Sequence, residues 1–95
     1  MILVRAIFQA KYGKGGELVA LMKEVSGAIP EYSPDRILTD LSGPFFTVVV
    51  EETMESMGAW EARNKTLFAD PKFGPLFAKM ETLVESGRRE FFTIQ

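Results

Sequence analysis

Residues 36–51, RILTDLSGPFFTVVVE, decide the fold because they have the pattern of two strands joined by a tight turn. The first strand, residues 36–42, mixes apolar and polar side chains on both faces, which suits the edge of a sheet. Gly43 and Pro44 then turn the chain. The second strand, from Phe45 to Val50, is a nearly continuous β-branched and aromatic run, typical of a central strand covered on both faces.

The elements around this hairpin follow from changes of hydrophobic period. Residues 2–11, ILVRAIFQAK, alternate as a strand with one wholly apolar face. From Glu17 the period becomes helical, and Pro30 ends that helix. A second helix is predicted to begin at Thr53, with a restart at Asp70 and Pro71. The same pattern predicts Gly87 as a helix C-cap, Arg88 beside the negative end of the helix dipole, and a last strand from Arg89 to Ile94.

The order strand, helix, strand, strand, helix in two pieces and strand predicts an α+β fold of the ferredoxin-like βαββαβ type. A single domain over residues 1–95 is expected, with a four-stranded antiparallel sheet and the helices on one face. Strands one and three should occupy the centre, and they are the most apolar strands of the sequence.

The face of the sheet without helices is expected to carry apolar side chains as well. We expect them to come from sets such as Ile2, Val4, Ala6 and Phe8, or Phe46, Val48 and Val50. Monomers rarely leave such a patch in water, and two sheets packed face to face would cover it with one self-complementary surface. A homodimer that forms a dimeric α/β barrel is therefore predicted.

Composition excludes several classes of function. The chain has no Cys and no His, so neither a metal ion nor a cofactor is expected, and the usual general base near neutral pH is missing. The net charge of -2 disfavours binding to nucleic acid. No stretch reads as a signal peptide or a membrane span, so a cytoplasmic location without membrane contact is expected.

Two segments give the chain a family resemblance. Residues 66–73, TLFADPKF, and residues 83–94, LVESGRREFFTI, resemble the NIPSNAP-type branch of the dimeric α/β-barrel proteins. More loosely, the chain resembles the antibiotic-biosynthesis-monooxygenase-like branch. The resemblance implies the dimeric barrel. Haem-degrading relatives use an Asn, Trp and His set, and this chain has neither a His nor an Asn in its first strand, so haem degradation is not expected.

Trp60 and Asn64 are the first candidates for a binding site, since they stand one turn apart on the inner face of the second helix. Either they form the wall and the hydrogen-bonding group of a pocket, or Trp60 is core and Asn64 bonds to nearby backbone. Arg63 is either a cation for an acidic ligand or a solvated helix residue.

Polar residues within apolar strands add Arg5 and Thr39 to the pocket candidates, because such residues need partners. Arg5 could pair with Asp40, with Glu90, with a carboxylate across the dimer, or with an anionic ligand. Tyr12 and Tyr32 could place phenol groups at a pocket mouth. Five carboxylates show no metal-ligand spacing and are expected to form a solvated rim: Asp35, Asp40, Glu51, Glu52 and Glu55.

Three functions are compatible with these features. The first is a dimeric module that binds a small apolar or aromatic ligand or another protein. The second, implied by the resemblance alone, is a cofactor-free monooxygenase or isomerase acting on a small aromatic or quinone-like compound. The third is nucleic-acid binding on the sheet, which the charge and the expected burial of that surface oppose.

Overall fold

A computed structural model describes all 95 residues. In chain order its elements are β1 (Ile2–Ala10), α1 (Gly15–Ala28), β2 (Arg36–Thr39), β3 (Thr47–Met54), α2 (Met57–Ala69), α3 (Phe73–Leu83) and β4 (Val84–Thr93).

The sheet has the predicted topology. Its four antiparallel strands lie in the order β2-β3-β1-β4, so the two most apolar strands occupy the centre. The ferredoxin-like α+β prediction is confirmed. Alternate residues of β1 and β3, among them Val4, Val48 and Val50, are buried on the side that α1 covers through Leu18 and Met22.

The last strand is longer than predicted, and the helix cap assigned to Gly87 is wrong. The helix α3 ends at Leu83 and β4 follows at once, so Gly87 and Arg88 lie within the sheet. Gly87 pairs with Phe8, and a Cβ atom there would stand 3.2 Å from the carbonyl oxygen of Ile7. Glycine at this position therefore serves a close approach of two strands.

The start of α2 also differs from the prediction. Thr53 lies in β3, and Ser56 is the N-cap, because its hydroxyl oxygen accepts the N–H of Ala59 at 3.1 Å. Asp70 ends α2, and its carboxylate accepts the N–H of Lys72 in the turn before α3. Thr53 has the side-chain chemistry of an N-cap but lies three residues before the true N-cap, Ser56, and so the predicted start of the helix was three residues too early.

The face of the sheet opposite the helices is more polar than expected. Both sets proposed for it, which include Val4 and Val48, instead point to the helices. Strand alternation gives the open face the apolar residues Leu3, Ile7, Leu38, Val49 and Phe92.

A charged cluster lies among these apolar residues. Glu51 is only 1 % exposed and accepts hydrogen bonds from Arg5 at 2.7 Å and from Arg36 at 2.5 Å. Glu90 stands 3.9 Å from Arg5. The prediction that Glu51 belongs to a solvated rim is therefore wrong, because period two places it between two cations on neighbouring strands.

The carboxyl group of Glu51 should make the free energy of unfolding depend on pH in the acidic range. The hydrogen bond from Arg36, and then the one from Arg5, hold the pKa of this carboxyl below its usual value, against the opposing effect of desolvation. A carboxyl group whose pKa is lower in the folded than in the unfolded state stabilises the fold. Its contribution is complete at pH values above the unfolded-state pKa and is lost as the pH falls through the folded-state pKa. From about pH 5 downward, the urea midpoint of the wild type should fall more steeply than that of Glu51→Gln.

Glu90→Gln is the control for this experiment, since the Glu90 side chain is 33 % exposed and stands farther from Arg5. Its acid profile should follow the wild type. Parallel profiles for wild type and Glu51→Gln would contradict the assignment.

None of the three helices combines the length and the apolar character that crossing a membrane requires.

Candidate ligand-binding site

A cavity of about 110 Å³ lies between the helices and the sheet. It borders two clusters of buried side chains, one between the helices around Leu21 and Leu67, the other between α1 and the sheet around Leu18 and Val48. The helix α2 explains the gap, since Leu67 is its only buried residue. A helix with one buried side chain does not fill the space beneath it.

Aromatic side chains form much of the wall of this cavity. The mouth of the cavity is marked by the exposed residues of its lining, Phe68, Phe77 and Arg89. Phe73 lies deeper and is buried. Phe68 meets Phe73 edge to face at a centroid distance of 5.1 Å. Rings in this arrangement give a wall that accepts flat apolar molecules.

Trp60 is half-buried beside the mouth. Its ring meets Phe91 of β4 edge to face at 5.0 Å, and the guanidinium carbon of Arg89 stands 5.0 Å from its centroid. The sequence left open whether this residue is wall or core. Its ring lines the cavity and also packs on β4.

A paired set of charges lies deeper in the lining. Arg63 donates to both carboxylate oxygens of Glu52, at 2.8 and 2.5 Å, and the two side chains are 14 % and 10 % exposed. Glu52 follows Val48 and Val50 at period two, which places it on the helix side of β3. The solvated rim predicted for Glu52 is therefore wrong, and Arg63 is part of a buried ion pair.

Asn64 accepts a hydrogen bond from the Nε atom of Arg63 at 3.2 Å. The expected alternative, a bond to local backbone, is not what the structure has. With its oxygen engaged, the amide nitrogen of Asn64 is left as a donor at the cavity.

Tyr32 reaches the cavity from the loop after α1. Burial, followed by the nearby Glu52 carboxylate, raises the pKa of its phenol, while Arg63 and Arg89 act in the opposite direction. The hydroxyl group is therefore protonated at neutral pH and can donate a hydrogen bond. The guanidinium of Arg63 stands over the same ring at 4.9 Å.

The structure brings together three of the sequence-derived pocket candidates, since Trp60, Arg63 and Asn64 all line the cavity. Arg5 lies on the opposite face of the sheet, in the cluster with Glu51 and Glu90. Thr39 is exposed at the end of the edge strand β2, outside the cavity lining.

The other lining residues come from separate elements. The sequence predicts both tyrosines at a pocket mouth. Tyr32 does line the cavity, whereas Tyr12 is 81 % exposed and packs on Phe46. Arg89 and Glu52 also line the cavity, and the sequence pattern does not predict either of them there. Strand register is the signal that finds them, because Arg89 pairs with Ala6, which lies on the helix face of β1.

Comparison with known proteins shows which solved structures share the fold of this chain. No protein-family model matches the sequence, and no curated protein matches it. An uncharacterized NIPSNAP domain protein from Burkholderia xenovorans is similar in structure at a TM-score of 0.90 and 20% identity, over 100% of this chain and 95% of that one. A NIPSNAP family protein from Agrobacterium tumefaciens gives 0.89 and 21%, over 99% and 92%.

A more distant similarity joins a second group. A protein from Deinococcus radiodurans, provisionally named an antibiotic biosynthesis monooxygenase, has a TM-score of 0.68 at 18% identity, over 100% of this chain and 93% of that one. The sheet order and the helices define the class as ferredoxin-like α+β. Within that class the fold is that of the NIPSNAP proteins and, at lower similarity, of the monooxygenase-like proteins. Identities this low show a common fold, and fold does not determine function.

Proposed function

We propose that this protein is a small homodimeric module of NIPSNAP-like fold that binds a small aromatic or apolar molecule in the cavity between its helices and its sheet. The observation that carries the proposal is the cavity itself, which lies between the helices and the sheet and is lined by residues of both core clusters. Apolar side chains that are left unpacked around such a space make the core less stable than a filled one, so a bound apolar molecule would stabilise the folded chain.

The size and the wall of the cavity favour a single ring. Apolar cavities of roughly 150 Å³ hold benzene, and this one, at about 110 Å³, also opens at Phe68 and Phe77. The half-buried ring of Trp60 would contact a bound ring at its edge.

Filling the cavity from within tests the proposal. Ala6 lies on the central strand beneath the cavity, so Ala6→Leu adds apolar atoms to it without removing a polar group. Ligand-observed NMR with benzyl alcohol, benzamide and benzoate should detect binding of at least one to the wild type, and Ala6→Leu should weaken that binding by about tenfold or more.

Ala20→Leu is the matched control, because it adds the same atoms on the exposed side of α1. Its binding should equal that of the wild type. The proposal fails if none of the three probes binds to the wild type, or if Ala6→Leu folds and binds as the wild type does.

The arrangement of charge favours binding over catalysis. Glu52 is the only carboxylate that lines the cavity, and both of its oxygen atoms accept hydrogen bonds from Arg63. A monooxygenase or isomerase that used Glu52 as a base would have to break this pair.

The homodimer is proposed on the open face of the sheet. Phe92 and Leu38 are 45 % and 38 % exposed there, beside Leu3, Ile7 and Val49. Sheet-to-sheet packing would remove this area from water. The cytoplasmic location expected from the sequence stays a prediction.

Sedimentation equilibrium at micromolar concentration should give the mass of a dimer, and Val49→Arg, in the middle of the open face, should give a monomer. Leu41→Arg is the control, because Leu41 lies fully exposed in the loop between β2 and β3 and should leave the dimer intact. A wild type that sediments as a monomer would end this proposal and leave the ligand proposal standing.

A further inference from the structure

The polar groups that line the cavity differ in the charge and the hydrogen bonds that they can still provide to a ligand. The charges of Glu52 and Arg63 satisfy each other. Each carboxylate oxygen of Glu52 already accepts a hydrogen bond from Arg63, so the negative and the positive charge of this pair neutralise each other.

Arg89 has no such partner. It extends from β4 at the mouth of the cavity, stacked on Trp60 at 5.0 Å, and its neighbour Arg88 rather than Arg89 pairs with Glu90. Among the charged lining residues one carboxylate faces two guanidinium groups, so the cavity carries one positive charge in excess.

The two neutral groups, Tyr32 and Asn64, add hydrogen-bond donors and no negative charge. The Tyr32 hydroxyl is protonated at neutral pH and the amide oxygen of Asn64 is already engaged by Arg63. Three groups on this wall can donate to a ligand and carry no negative charge: the guanidinium of Arg89, the hydroxyl of Tyr32 and the amide nitrogen of Asn64.

From this arrangement we infer that the cavity selects aromatic molecules that carry an anionic oxygen group, with the ring against Trp60 and Phe68 and the carboxylate on Arg89. A guanidinium is the side chain best matched to a planar carboxylate, because its N–H groups can donate in parallel. The inference deepens the proposed function and rests on it, since it names the chemical class of the ligand of the same cavity.

Benzoate and benzamide test this selection, because they share a ring and a planar substituent and differ in charge. At pH 7 the wild type should bind benzoate about tenfold more tightly than benzamide in ligand-observed NMR titrations. Arg89→Gln keeps a hydrogen-bonding side chain without the charge, and should abolish the preference while benzamide binding changes little.

Arg88→Gln is the matched control, since Arg88 is the adjacent residue of the same strand and points to the opposite face. It should keep the wild-type preference for benzoate. Equal binding of the two probes by the wild type, or an equal loss of preference in both variants, would overturn the inference while leaving an apolar binding site in place. Failure of both probes and of benzyl alcohol to bind would overturn the proposed function, and this inference with it.

Discussion

Replacing Arg63 with Met should cost about 3 kcal/mol or more of unfolding free energy. The substitution leaves the Glu52 carboxylate, on a side chain that is 10 % exposed, without the two hydrogen bonds that it accepts. Taking the charge of Glu52 out of water was tolerable only because Arg63 offsets it. Urea denaturation followed by circular dichroism at pH 7 measures the loss.

The double variant Arg63→Met with Glu52→Leu should recover most of that stability, because no unpaired charge then remains in the cavity wall. Lys79→Met is the exposed control. Its partner is Glu24, the two side chains are 62 % and 53 % exposed, and the expected change is below about 1 kcal/mol. A double variant as unstable as the single one would argue that Arg63 acts through packing on Tyr32 rather than through charge.

Trp60→Ala is expected to have the second largest effect, a loss of about 2–3 kcal/mol. Truncation of a fully buried Trp costs roughly 3–5 kcal/mol, and this ring is only half-buried, with part of its surface on the cavity. Its contacts with Phe91 and Arg89 would be lost. Trp60→Phe should cost distinctly less, since a ring remains against Phe91.

Phe45→Ala supplies the comparison for an aromatic residue away from the cavity. Phe45 is 68 % exposed, and its truncation should cost less than about 1 kcal/mol. The fluorescence of Trp60, the single Trp of the chain, should also respond to aromatic compounds. A loss typical of a fully buried Trp, with fluorescence indifferent to every aromatic compound tried, would remove support for the cavity as a binding site.

The order of the elements could be predicted from the sequence because period and residue type change sharply between them. The β-branched run that ends at Val50 predicts a central strand, and β1 and β3 do lie in the centre of the sheet. The predicted start at Phe45 is wrong, because β3 begins at Thr47 and Phe46 lies in the turn with a φ of 60°. Ends of elements were less predictable. In the sequence alone, Gly87 is compatible both with a helix C-cap and with a close contact between two strands. Only its pairing with Phe8 in the structure decides between the two.

The candidate site could be predicted where its residues lie on one helix. Trp60 and Asn64 are one turn apart, so helical period alone brings them together. Tyr32, Glu52 and Arg89 come from a loop and two different strands, and their meeting depends on the register of β1 with β3 and β4. Local periodicity contains no information about register between distant segments, and so it also missed the pairing of Arg5 with Glu51.

The position of β1 has a consequence for the synthesis of the chain. Of the four strands, β1 is synthesised before the others but pairs with β4, which is synthesised after them: Ile2 lies opposite Thr93, and the N–H of Ile94 donates to the carbonyl of Met1 at 3.2 Å. Such distant pairing slows folding relative to local contacts. Until β4 emerges, a nascent chain has one edge of its most apolar strand bare, and a bare edge readily pairs with another chain. A chain interrupted before Val84 would therefore be expected to aggregate, whatever its helices had already formed.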